Sequence, residues 1–220
     1  MVFSFLGAKG ERDTTGARFS GLAEVRAYWE GRRNGIGIPS RADLDPRGMA
    51  GALEQVFIAE RIGTGLVRLR IAGSGLAEVA GLDMKGLPLS ALITPESRLR
   101  LAEVLERVFT QPIAADLHLE AERAIGRPAL QARLMLLPLR SAGGARDLVL
   151  GCLATGGTIG RAPRRFAITR AMEERLIVDP TAVAARVGVD LRTLPGLAEP
   201  ATPAQPIAGK PHLRLVYSVD

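Results

Sequence analysis

The chain has 220 residues, 47% hydrophobic, 24% charged and only 4% aromatic. That length supports one full core with appendages, the apolar fraction argues against wholesale disorder, and the single cysteine excludes a disulfide framework or a multi-Cys zinc site. The net charge of +6 comes from 29 basic and 23 acidic residues.

Residues 1–20 are rich in Gly, Thr and charge and read as a loose N-terminus. Ser20 offers a helix cap, and Leu22, Val25 and Trp29 recur at helical spacing until Gly31, with Asn34-Gly35 as a break. Pro39 to Leu44 reads as a loop. Asp45-Pro46 then supplies a second cap, with proline at the first helical position, for a short helix to about Leu53. Residues 21–53 are therefore expected to form a helical cap ahead of a core at 54–156.

Within that core, Val56–Glu60 and Leu66–Ala72 read as a hairpin joined through Ile62-Gly63-Thr64-Gly65, with Val67, Leu69 and Ile71 alternating against Arg68 and Arg70. A glycine-rich stretch of short helical fragments runs from Gly73 to Leu92. Thr94-Pro95-Glu96 opens a longer helix that ends at Gln111-Pro112. Three strands follow: Ala115–Ala121, Ala129–Leu137 and the nearly all-apolar Leu148–Thr155, whose composition suits a central position. From 157 to 220 the chain turns Pro-, Arg- and Ala-rich and reads as a partly disordered extension. Its first part, 161–165, looks like a linker, with one helix over Ala167–Val178, a shorter one over Thr181–Val187, and a strand-like His212–Tyr217.

No segment resembles a targeting or membrane element. The start lacks a basic n-region, and the longest apolar runs, Leu134–Leu139 and Leu148–Ala154, are far below the ~20 residues that span a bilayer. A cytoplasmic location is expected. The positive charge is no nucleic-acid footprint, because 20 basic and 17 acidic residues precede residue 157 and nine and six follow it, so neither part is a polybasic arm. The shortage of aromatics also argues against stacking platforms for single strands.

The chemistry-bearing residues are few. Gly73-Ser74-Gly75 follows a strand, but Glu78 stands where a dinucleotide fingerprint needs a small residue, so the motif reads as a tight turn. His118 lies between Asp116 and Glu120 on the polar phase of its strand, with no second His or Cys at ligand spacing. Cys152 reads as a small buried hydrophobe. Trp29 reads as a plug on one face of the core. Arg41, Asp43, Asp45 and Arg47 form a self-neutralising loop that is also able to hold an acidic ligand.

The strand order, together with Gly75–Leu92 and with Tyr28-Trp29-Glu30 and Pro39–Pro46 ahead of it, resembles a PAS domain, of a subfamily found as small stand-alone alphaproteobacterial proteins. The resemblance implies an α+β fold: a five-stranded antiparallel sheet with short helices and a connecting helix. It further implies a sensory or interaction module that often dimerises. No cofactor is expected, since haem-binding members carry a His on the connecting helix and Pro95–Gln111 has none, and the reactive-cysteine motif of flavin photosensors is absent. The resemblance implies an apolar cavity lined by Ile58, Leu69, Ile71, Leu117, Leu134 and Leu150, filled by its own side chains or by a small apolar ligand. The outer sheet face, with Arg68, Arg70, Asp116, His118, Glu120 and Arg133, is the expected surface for a protein partner or a second copy. The expected function is a non-enzymatic regulatory module. The alternative is a nucleic-acid-binding regulator using Arg161–Arg175, and a third option makes His118 the base of an enzyme.

Overall fold

The computed structural model describes residues 19–33 and 37–177. The expectations for the N-terminal stretch up to residue 18, for Asn34-Gly35 and for everything after residue 177 lie outside the described residues. The expected elements of the core are present: α1 (Ser20–Arg32), β1 (Val56–Gly63), β2 (Leu66–Ala72), α2 (Ser74–Ala80), α3 (Arg98–Thr110), β3 (Ile113–Ala121), β4 (Gln131–Leu139) and β5 (Leu148–Gly156). Asp45 caps as expected, its Oδ1 accepting from the Arg47 N–H at 2.9 Å, and Pro46 opens a 3-10 stretch to Gln55 that kinks at Met49. Ser20 does not cap α1; Phe19 holds that position without a side-chain bond. Thr94 does not cap α3 either. Its N–H donates to the Phe166 carbonyl at 3.0 Å, and the helix proper starts at Arg98.

The sheet has six strands rather than five, in the order β2-β1-β5-β4-β3-β6, all antiparallel. The sixth, β6 (Phe166–Arg175), occupies the segment expected to be a helix. Apolar residues at 167, 168, 171 and 172 satisfy a helical period, but Phe166 and Ile168 also alternate. The free edge of β3 decides between the two readings, because pairing there satisfies its backbone groups along the whole strand. Residues 161–165, read as a linker, are tied down. Arg164 is 1% exposed, and its guanidinium donates to the carbonyls of Ile159, Glu122 and Pro128.

Both faces of the sheet are buried. Against α2 and α3 lie Phe57, Val67, Leu69, Leu117, Leu119, Leu134, Leu136, Val149 and Leu153. Against α1 and the 46–55 stretch lie Val56, Ile58, Met135, Leu137, Leu150 and Cys152. Central β5 carries Gly151 opposite Phe57, whose ring fills the space a Cβ would take. Gly73, before α2, likewise has no room for a side chain: a Cβ there would lie 2.3 Å from the Glu54 carbonyl and 2.4 Å from that of Leu53. The Gly-x-Gly turn is therefore a close backbone crossing, not a phosphate cradle.

Trp29 plugs the α1 face as expected. It is fully buried, and its Nε1–H donates to the Pro138 carbonyl at 3.1 Å. Trp29→Ala should cost about 3–5 kcal/mol in urea unfolding, and a loss below about 1 kcal/mol would show that α1 is not part of the cooperative core. Gly73→Ala should cost about 1–3 kcal/mol in the same assay, through a clash with backbone that cannot rotate away.

Candidate functional site

α1 packs over the outer face of the sheet, β6 is the edge strand beside β3, and a groove of ≈ 670 Å³ lies between them. Ala114, Asp116, Arg133 and Met135 form its floor, with Leu22, Ala23 and Arg26 of α1 on one wall and Met172 and Glu174 of β6 on the other. Arg26 crosses from wall to wall. It donates to Glu30 at 2.7 Å and to Glu174 at 3.1 Å while lying 5.5 Å above the Trp29 ring. At the far end the buried Arg33 donates to the Ile177 carbonyl and to Glu30.

The walls are held unequally. Glu173 and Glu174 are successive residues and point to opposite faces of β6. Glu173 takes a bidentate pair from Arg107 of α3, at 2.9 and 2.6 Å, which holds that guanidinium still more firmly protonated. Glu174 faces the groove. Its partner Arg26 is reached at the surface, where such a pair contributes about 0–1 kcal/mol. On the floor, Arg133 grips both carboxylate oxygens of Asp116 across the β3–β4 pair and lies 5.8 Å from the Phe19 ring.

The residues expected to form one outer surface divide into two groups. Asp116, His118, Glu120 and Arg133 share the β3–β4 end, whereas Arg68 and Arg70 sit on β2 at the opposite edge, where Glu60 pairs with both. β1 and β5 lie between the groups and are covered by the N-terminal cap. The expected pocket lining divides as well, because strand alternation sends it to both faces. Leu69, Leu117 and Leu134 are packed in the α2–α3 core, while Ile58, Ile71 and Leu150 face the other side.

His118 stands cross-strand from Arg133 and Arg170 and lines a small hollow of ≈ 170 Å³ with Gln131 and Thr169. Its Nε2 is buried without a partner among the described residues. Of the carboxylates beside it in the strand, Asp116 is engaged by Arg133, and Glu120, which lines the same hollow, by Arg123. The Arg161–Arg175 segment is no basic stripe either. Arg164 points inward, burial pulling its pKa down, and Glu173 and Glu174 interrupt the rest. Among the described residues no group of three His, Cys, Asp or Glu could hold a metal, and no helix is long and apolar enough to cross a membrane.

Sequence reasoning missed Arg26, Met172 and Glu174, the walls of the groove. The signal available was the alternation of Phe166 and Ile168, which competes with a helical period.

Cys152 lies beneath α1, and burial pushes its thiol from 9.0 up to about 12. A folded value above the unfolded one favours the folded state fully below pH 9.0, and the advantage fades as pH rises toward 12. Between those limits the chain should lose up to about 1.4 kcal/mol per pH unit through this group. Urea melts across that range should show a slope that Cys152→Ala lacks; parallel slopes in both proteins would exclude it.

A family model described as "PAS domain" matches residues 18–154, well over half of the chain. No curated protein gives a significant match. Among solved structures, the light state of the blue-light photoreceptor Aureochrome1 LOV is similar at 16% identity and a TM-score of 0.38, covering 50% of this chain and 88% of that one. A light-oxygen-voltage domain studied with a flavin analogue has the same identity and TM-score, with 50% and 83% covered. An RNA-binding light-oxygen-voltage receptor aligns at 16% and 0.36, covering 69% of this chain and 36% of that chain. The family-model match over more than half of its length shows that the chain belongs to the PAS domain family of sensory modules.

Proposed function

We propose that this chain is a non-enzymatic, cytoplasmic sensory or regulatory module that works by binding another protein in the groove between α1 and β6. One observation carries the reading: the walls of the groove are the first and the last described elements of the chain, α1 at the start of the matched family span and β6 beyond its end. Anything that widens or fills the groove moves the points where residues 1–18 and 178–220 attach. Breaking the exposed Arg26–Glu174 strap is inexpensive. Displacing either wall is not, because β6 is paired along β3 and Leu22, Val25 and Trp29 are buried. Occupancy would therefore shift the balance between two packings of a wall rather than unfold it.

The floor supports recognition of a mixed apolar and charged segment. Met135 and Met172 provide adaptable apolar contact, and the Asp116–Arg133 pair presents both charges at the surface. Arg133→Glu is a poor probe of such binding, since it places a second carboxylate against Asp116. Ala23 is exposed and lines the groove, so a photoreactive benzoylphenylalanine placed there in the full chain should form a discrete protein adduct in cells. The same group at the exposed Glu78, on α2, should form none. Adducts in equal yield at both positions, or none at Ala23, would overturn the proposal.

A further inference from the structure

On the outer face of β1 and β2, apart from the groove, lies a second concavity of ≈ 270 Å³. Leu44 and Met49 of the N-terminal cap form one side and Ile58, Ile71 and Leu150 of the sheet form the other. The lining is apolar almost throughout, and two of its side chains are left open: Ile71 is 48% exposed and Leu53 39%. Three of the six residues that the family resemblance assigned to a ligand pocket meet here and not in the α2–α3 core.

One charge stands at the rim. Arg41 lines the hollow, and its backbone N–H donates to the Arg140 carbonyl at 2.8 Å, which fixes the residue in place. Its guanidinium has no hydrogen-bond or ion-pair partner among the described residues. The neighbouring carboxylates are committed elsewhere. Asp43 accepts from the Ser40 N–H at 2.8 Å and Asp45 from the Arg47 N–H at 2.9 Å, while Glu60 serves Arg68 and Arg70. The mixed-charge loop is self-neutralising in its backbone caps, and that leaves Arg41 over.

We propose that this hollow binds a small aliphatic monocarboxylate, its chain between the cap and Ile71 and its carboxylate on the Arg41 guanidinium. The size agrees. At roughly 30 Å³ per water-sized group the hollow holds about nine such groups, a chain of six to eight carbons with the carboxylate at the rim. A guanidinium fork matches a carboxylate in plane and in charge. Filling the hollow would cover the open faces of Leu53 and Ile71 and bridge the cap to β2. The hollow lies at the β2 end of the sheet and the groove at the β6 end, so binding at one is separable from binding at the other.

Calorimetric titration of the full chain with hexanoate, heptanoate and octanoate tests the proposal. Binding should be saturable at one site and tighten about fourfold per added methylene. Octanol, with the same chain and no carboxylate, should bind at least about tenfold more weakly than octanoate. Arg41→Gln should abolish that difference. Ile71→Asp, at an exposed position and checked for unchanged circular dichroism, should abolish octanoate binding. Octanol binding as tightly as octanoate would overturn the carboxylate site. Octanoate affinity retained in Ile71→Asp would place the ligand elsewhere and overturn the hollow, and absence of saturable binding at 10 mM would overturn both. None of these outcomes bears on cross-linking at Ala23, so the two readings fail separately.

Discussion

A sheet apolar on both faces needs two covers, and that requirement organises this molecule. The α2–α3 layer is one cover. The other is α1 with the 46–55 stretch, pinned by Trp29 through its contact with Pro138. A single cover would leave Ile58, Leu137, Leu150 and Cys152 against water, a penalty of about 1.5–3 kcal/mol for each large side chain. The N-terminal helix is thus part of the fold, and the groove and the hollow are places where its cover stops short of the sheet's ends.

The second constraint is edge protection. Without β6 the edge of β3 would present unpaired backbone groups along nine residues. β6 closes that edge and is fastened to both layers, through Glu173 to α3 and through Glu174 to α1. The crossover that delivers it is held by Arg164, a buried cation whose partners are backbone carbonyls and not carboxylates. Such a group is costly to bury, and the three carbonyls it satisfies join the β3–β4 turn to the chain entering β6. The new edge is interrupted by charge at Arg170, Glu173, Glu174 and Arg175, which discourages further pairing.

The α2–α3 core and the outer face divide the available functions. Leu69, Leu117 and Leu134, together with Leu76, Met84 and Leu105, pack into one another, whereas the concavities described here lie on the α1 side.

Alternation along β2, β3 and β4, the Asp45-Pro46 cap and the apolar run of β5 were legible in the sequence, because strand period and cap chemistry are local properties. Trp29 as a plug was legible too, since an apolar stripe on a helix next to an apolar sheet has one economical use. Which of two apolar faces each residue joins was not local. Ile58 and Leu69 lie on neighbouring strands, yet a register shift and the strand period send them to opposite cores. Nor was β6 local: residues 166–175 satisfy helix and strand alike, and the open edge of β3 selected the strand. The shortage of His, Cys and aromatics narrowed the chemistry in advance by limiting the ligands and stacking surfaces the chain can offer. Where its few uncommitted charges lie was decided only by tertiary structure, because a charge counts as uncommitted only after every neighbour has found its partner.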